Sequence, residues 1–493
     1  MNHTVSIIRT LSDEDKRSFI TLLRQKNKRN DTKNIQLFKL MNVHDEVKGL
    51  DVKIYGKPAK GAFHALCKRL HDNLIDFVAS KSFEGETSEE MDILKLLLAS
   101  RIFFEQKQYK IALKTIQKAE LKAKTYDLYS ILNEIYYTKI QYAHLNITTP
   151  LETLISDFNN NKASIQQEEN LNLFYATVQN KLIKKHKDFA IVIRDTLSKF
   201  GISITQDLTF RSLFKILEIT NTAAQATRDY FTILPFVEEA YTLIDTREKL
   251  IDKHLFYHIQ ILYYVANAYF RNKNFETSMR YLSLMKDQMD KYQYKYHRRF
   301  YPQYILLYTL NLNYTGNANL AITTIHAFED AKHKEQITYL LDLKLSLIVF
   351  YFMQSRFKEA LGVLTNLYHS DHWYAEKAGT IWVVKKNLVE ILLHIELNNI
   401  DLVESRANSF RKKHSVYLKN NNENRALEFL KLALEYDRKP EVATTDIFRN
   451  KISNSLTTST REQEDIFEIS FYAWIRSKAY NTELYTTTLK LVN

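Results

Sequence analysis

The apolar positions of this chain recur in a fixed phrase. A large residue stands nine positions before a small one, and further apolar residues follow at helical spacing. The pairs are Phe103 and Ala112, Tyr269 and Ser278, Leu312 and Ala321, and Tyr351 and Ala360. Three positions before each small residue stand Tyr109, Phe275, Ala318 and Phe357. Behind the small residues come Ile116 and Ala119, Leu282 and Met285, Ile325 and Phe328, and Leu364 and Leu367. A weaker fifth copy joins His394 to Val403, with Ala407 and Phe410 following. The spacing predicts two helices per copy, joined by a short turn. The small residue lets the second helix approach the first, and the large residue fills the space beside it. Two-helix units repeated in series stack on their neighbours.

The pattern differs before the first copy. Ser12, followed by Asp13, Glu14 and Asp15, reads as a helix start, a capping hydroxyl ahead of acids on the positive end of the dipole. Phe19, Leu22 and Leu23 give that helix its stripe, and Ile35, Leu37, Phe38 and Leu40 mark a second. The stretch from Gly49 to Gly61 is punctuated by Gly and Pro, and its Val52, Ile54 and Tyr55 read as a short strand or a loop. Phe63, Leu66, Leu70, Leu74, Phe77 and Val78 share one face of a third helix over about 62–80. The polar segment 81–90 contains Gly85 and a Thr87–Glu90 capping box, which places a boundary there. The predicted division is a basic helical domain over 1–85, helical repeats over 86–436, and a C-terminal part over 437–493. In the last, a polar connection leads to an aromatic-rich helix, Ile466–Arg476, that caps the array.

Composition narrows the fold class. Only 8 Gly and 5 Pro occur in 493 residues, too few for the tight turns of a sheet-rich protein. The prediction is all-α. No GxxxxGK[ST], GxGxxG or GxSxG motif is present, so the common phosphate loops and the hydrolase elbow are excluded. Cys67 is the sole cysteine, which rules out a disulfide or a thiolate zinc site within one chain. His254 and His258 have i, i+4 metal spacing but no third ligand, and His369 and His372 beside Asp371 meet the same objection. The expectation is a non-enzymatic protein with no catalytic residue, cofactor or metal. The N-terminus lacks the pattern of a secretory signal. The strongest apolar run, Leu345–Met353, falls short of the roughly 20 residues that span a bilayer. A cytoplasmic address with no membrane contact is therefore expected.

The net charge of +12 is unevenly placed: residues 1–83 hold 16 Lys and Arg against 9 Asp and Glu. Lys57, Lys60, Lys68 and Arg69 would meet phosphates if the three N-terminal helices formed a helix-turn-helix. Against that, the third helix carries no cluster of Arg, Asn or Gln for base edges. The segment KYQYKYHRRFY, residues 291–301, interleaves aromatics with cations. Tyr292, Tyr294, Lys295, Arg298 and Arg299 are its candidate partner-facing residues, because exposed aromatics beside Arg suit interfaces. The same mixture suits single-stranded nucleic acid.

The segment KQYKIALKTIQKA, Lys107–Ala119, resembles the second helix of a tetratricopeptide-repeat (TPR) unit and the turn before it. The overlay puts Ala112 at the small position and Phe103 at the aromatic position of the first helix. It extends over 91–125 and 255–415, with the last four small positions 43, 39 and 43 residues apart against a TPR period of about 34. The resemblance implies a right-handed superhelical solenoid of helix pairs that binds a protein or peptide partner. The alternative it implies is a nucleic-acid-binding regulator, with an N-terminal DNA-binding domain and a TPR-like sensor or dimerisation domain.

Overall fold

A computed structural model describes residues 4–5, 7–8, 11, 13–26, 33–43, 49–80, 88–145, 150–183, 189–204, 208–227, 229–245, 254–421, 424–456 and 466–492. Among these the regular structure is helical, with no strand. The chain forms two compact units, Met1–Met91 and Asp92–Asn493. Ser12, Gly85, Thr87 and the expected boundary at 85–86 lie outside the described residues.

The first unit contains helices α1 (Asp13–Lys26), α2 (Lys33–Val43), α3 (Leu50–Tyr55) and α4 (Lys60–Ser80). Phe19 is its centre: fully buried, 5.1 Å from the ring of Phe38 and 5.2 Å from that of Phe77. Leu37, Leu70 and Leu74 close around it. Val52, Ile54 and Tyr55, expected in a strand or loop, lie instead in the helix α3. Gly49 (φ 78°) and Gly56 (φ 71°) flank it in the left-handed region, and the Gly56 N–H closes it by bonding the Val52 carbonyl at 2.8 Å. Glycine adopts that conformation at no steric cost, so two of them fix a helix too short for periodicity to reveal. Cys67 is buried in this core, which pushes its thiol pKa up.

The second unit runs from α5 (Ser88–Glu105), whose first turn belongs to the other unit, through α6 (Tyr109–Thr125), α7 (Tyr129–Gln141), α8 (Leu151–Ile183), α9 (Phe189–Lys199), α10 (Phe210–Thr227) and α11 (Leu234–Asp245). Then come α12 (Leu255–Arg271), α13 (Phe275–Met289), α14 (His297–Tyr314), α15 (Ala318–Ala327), α16 (Ile337–Met353), α17 (Phe357–Thr365), α18 (Asp371–Ala378), α19 (Thr380–Glu396) and α20 (Ile400–Asn420). The chain ends in α21 (Asn424–Arg438), α22 (Asp446–Leu456), α23 (Ile466–Tyr480) and α24 (Leu484–Val492).

The five sequence phrases are five helix hairpins with one turn geometry. The middle turn residue is left-handed in each: Lys107 (φ 58°), Lys273 (62°), Gly316 (94°), Ser355 (57°) and Asn398 (55°). The residue after it donates its N–H to the carbonyl of the large residue of the phrase. These bonds run from Gln108 to Phe103 (2.8 Å), Asn274 to Tyr269 (2.9 Å), Asn317 to Leu312 (2.8 Å), Arg356 to Tyr351 (2.9 Å) and Asn399 to His394 (2.9 Å). This is a Schellman closure, which satisfies carbonyls that the helix end leaves open. Ala112, Ser278, Ala321 and Ala360 are fully buried at the hairpin contact. Ser278 meets its polar needs there by donating to the Ala266 carbonyl (2.9 Å) and accepting from Asn311 Nδ2 (3.0 Å). Leu312 and Tyr351 are buried as expected, whereas Phe103 and Tyr269 are half-buried. Their neighbours Phe104 and Phe270 occupy the interior instead. From α12 onward each first helix packs on the next first helix, and each second helix packs on the following first helix. Ala360→Leu is expected to destabilise the chain by about 1–3 kcal/mol through overpacking, measured as a lower urea midpoint.

Two expectations for the C-terminal part need correcting. The stretch before residue 466 is not only a polar connection: it holds a 3₁₀ turn at Pro440–Thr444 and the helix α22, with Phe448 and Ile452 buried on one face. The aromatic helix α23 is more than an end cap. Its Ser470 hydroxyl lies 3.2 Å from the Tyr314 hydroxyl and 3.7 Å from Met353 Sδ, and Trp474 Nε1 donates to Glu396 at 2.6 Å. It thus crosses the ends of α14, α16 and α19. A helix apolar on nearly every side needs partners all round, which an end position does not provide. By length and composition one stretch, Asp330–Met353, could cross a membrane, and 72% of its apolar window is buried inside the fold as a core helix.

Candidate functional site

The segment 291–301 forms the bend between α13 and α14. Tyr292, Gln293 and Tyr294 are left-handed in succession (φ 50°, 58° and 62°). Each such residue costs roughly 1–2 kcal/mol for a side chain with a Cβ. The bend turns both tyrosines outward, at 59% and 60% exposure, while Tyr296 faces the core. Tyr294 meets the edge of His297 at 5.6 Å, and His297 stacks at 4.4 Å on Tyr301. Lys295 sits 4.9 Å over the Tyr296 ring. Arg298 pairs with Glu335 at 3.2 Å, and Arg299 donates to Gln336 Oε1 at 3.0 Å. The structure therefore leaves the two tyrosines open and draws the two arginines toward the turn at 330–336.

Arg299 leads to a site that sequence reading missed. Burial raises the Tyr339 phenol on α16 and the Arg299 charge pulls against it, while Tyr339 faces Tyr263 on α12. Asp342, one turn beyond Tyr339, feels Lys385 and Trp382 of α19 and Arg271 of α12. Tyr230 stacks under the Arg271 guanidinium at 5.6 Å. Within each helix the members share a face: Tyr263 and Arg271 lie eight apart, Tyr339 and Asp342 three, and Trp382 and Lys385 three. Tyr263, Arg271, Tyr339, Asp342 and Lys385 all keep intermediate exposure. Yet desolvation pushes the Tyr263 phenol well above its usual range and raises Tyr339. The same desolvation lifts the Asp342 carboxyl to about 6, against the pull of Lys385, Arg271 and the Trp382 indole. These half-exposed groups, each influencing the next, form one polar and aromatic cluster across the three helices. The Trp382 indole nitrogen is buried beside the Asp342 carboxyl and helps hold it down. A half-open carboxylate inside an otherwise apolar helix was the available signal, since Asp342 stands in LLDLKLSL.

A second cluster surrounds Asp371, against a cavity of about 660 Å³ between α17, α19 and α20. Burial alone would raise the Asp371 carboxyl, but Lys413 at 2.9 Å and Lys386 at 3.2 Å hold it down to about 2. Glu390 pairs with Arg406 at 2.8 Å. These charges answer one another, so the cluster ties helices together. His369 stacks on Trp373 at 3.9 Å. His254 stacks on Phe210 at 5.3 Å and lies 3.5 Å from Asp127. Among the described residues no three His, Cys, Asp or Glu gather as a metal site would require.

In the first unit Lys57, Lys60, Lys68 and Arg69 are all exposed. Lys60 and Lys68 lie on one face of α4, at eight-residue spacing, and among the described residues none of the four makes an ion pair.

No family model matches the chain, and no curated protein matches it.

Proposed function

We propose that this chain is a TPR-like helical-repeat scaffold that holds a protein or peptide partner along the groove of Tyr263, Arg271, Tyr339, Asp342 and Lys385. One observation carries the reading. Helices from separate hairpins contribute half-open polar and aromatic side chains to one desolvated surface, where an apolar core would be more stable. The repeated turn and the first-helix-on-first-helix packing support a solenoid, whose first helices line one face. Arg299 joins this groove to the bend that exposes Tyr292, Tyr294, Lys295 and Arg298, so the partner surface includes both.

The test uses the immobilised full-length protein in cell lysate, with and without nuclease. A protein retained after nuclease is expected, and Arg299→Glu should weaken its retention by about tenfold with the thermal unfolding transition unchanged. Retention indifferent to that substitution defeats the reading.

The exposed cations Lys57, Lys60, Lys68 and Arg69 of the first unit favour a second reading, the nucleic-acid-binding regulator. Under it, nucleic acid alone is retained and is lost as salt rises, since phosphate contacts release counterions. Replacing Lys57, Lys60, Lys68 and Arg69 together by Ala must then abolish retention. Nucleic acid still held by that variant rules the reading out.

A further inference from the structure

The second helix of the first hairpin, α6, carries Lys110, Lys114, Lys118, Lys122 and Lys124, and Lys107 stands in the turn before it. Its single acid, Glu120, is buried and holds Lys139 at 2.6 Å and Lys124 at 2.9 Å. Asp92 answers Lys122 at 3.8 Å. Lys107, Lys110, Lys114 and Lys118 are exposed, and among the described residues no carboxylate or other acceptor meets their ammonium groups. Glu105, at the end of α5, is exposed and pairs with none of them. On the surface of α21 and α22, by contrast, Lys431 is answered by Glu428 at 2.7 Å and Arg449 by Asp446 at 3.3 Å, each from three positions earlier.

Lys110, Lys114 and Lys118 follow one another at i, i+4 spacing, so they share a face and repel. Lys110 also lies in the first turn, where the helix dipole disfavours a cation. A helix that breaks two charge rules without compensation from its own fold has a use for the charge. Apolar side chains stand among the lysines: Leu121, 69% exposed, is seven residues from Lys114, and Ile111, 51% exposed, is seven from Lys118. A phosphate backbone offers nothing to Leu121 and Ile111. Two side chains are also too little to hold a bilayer, on which even one fatty chain binds only marginally. Carboxylates at i, i+4 spacing on a second helix rise by the same roughly 6 Å as the lysines, and a helix can carry an apolar residue beside them.

We propose that the outer face of α6 docks an acidic amphipathic helix of a protein partner, with carboxylates on Lys110, Lys114 and Lys118 and an apolar side chain against Leu121. No groove residue takes part, so the two surfaces stand or fall separately.

The test is a display library of peptides of about eighteen residues, long enough to run the length of α6 at about 1.5 Å per residue. Helix-forming Ala and Gln hold fixed positions, the rest are random, and selection is on the full-length protein at neutral pH. Peptides with Asp or Glu at i, i+4 spacing beside a Leu or Ile are expected to be enriched. Lys110→Glu combined with Lys114→Glu should weaken them by at least about tenfold, and Leu121→Ser by about fivefold, with helicity by circular dichroism unchanged. If the double reversal fails to fold, Lys114→Gln combined with Lys118→Gln must still weaken them by about threefold or more. Arg299→Glu should leave them bound, and their loss on that substitution overturns the inference. Acidic peptides that bind the α6 variants as well as the parent, or no enrichment of acidic peptides, also overturn it. The same holds if phosphatidylserine vesicles or a single-stranded oligonucleotide are retained through Lys110 and Lys114 while no acidic peptide is enriched, since the face then serves a lipid surface or a nucleic acid.

Discussion

Trp474→Ala should lower the stability of the second unit by about 3–5 kcal/mol, the range for truncating a fully buried aromatic. Trp474 is completely buried. Its ring meets Tyr436 edge-on at 5.6 Å and Phe429 at 6.2 Å, so its removal opens a cavity walled by rigid rings. It also takes away the 2.6 Å hydrogen bond to Glu396. Glu396 keeps Lys478 at 2.7 Å, so the carboxylate is not stranded, and the cavity dominates the loss. Trp474→Phe separates the two contributions. It keeps most of the packing and loses the donor, and about 1–2 kcal/mol is expected. Urea unfolding followed by circular dichroism gives both values. A loss under about 1 kcal/mol for the alanine variant would mean that α23 is not part of the core. Because α23 bridges α14, α16 and α19, the alanine variant should also loosen those helices. Faster amide hydrogen exchange in those three helices is the expected sign.

The hairpins were legible in the sequence because the contact demands it. A second helix cannot cross close to a first unless a small residue stands at the crossing, and the turn fixes its distance from the last large residue. Hence Ala112, Ser278, Ala321 and Ala360 could be read directly. Which large residue faces inward could not. Phe103 and Phe104, Tyr269 and Phe270, and Tyr351 and Phe352 are adjacent aromatic pairs, and a rotation of one residue about the helix exchanges them. In the first two pairs Phe104 and Phe270 take the interior while Phe103 and Tyr269 stay half-buried, whereas Tyr351 and Phe352 are both buried, and tertiary packing, which one sequence does not display, makes the choice. The same limit hid the groove. Tyr263, Tyr339, Asp342 and Lys385 lie on helices far apart in sequence and meet only through tertiary packing. The bend at 291–301 was legible as a chemical patch, because its residues are contiguous. Its splitting into open tyrosines and arginines bonded to the turn at 330–336 depends on three left-handed residues that no Gly announces. Tyr292 and Tyr294 are therefore exposed by backbone geometry and not by helical phase.

Asp342→Asn is expected to stabilise the chain by about 1–3 kcal/mol at neutral pH. The sign follows from the direction of the shift. In the folded state burial lifts this carboxyl to about 6, above its ordinary value of 3.8. The folded chain therefore binds a proton that the unfolded chain has already released, and stability falls as pH rises through that window. Above the folded pKa the full cost of a charged carboxylate in a desolvated groove is present. Below the unfolded pKa it vanishes, because both states are protonated. The advantage of the asparagine variant should accordingly be largest at neutral pH, shrink as pH falls through about 6, and be absent near pH 3.5. The raised phenols of Tyr263 and Tyr339 remain protonated across that range. The difference between the two proteins thus isolates one carboxyl. Paired urea titrations across the range measure it, and a difference that is flat with pH would show that Asp342 is not desolvated. A chain that keeps a carboxylate at a cost to its own fold, on a surface with cations from two other hairpins, has the balance expected where binding outweighs stability. The same substitution alters the charge that a partner on this surface meets, so the partner's retention from lysate should change along with stability, an outcome that a purely structural role for Asp342 does not give.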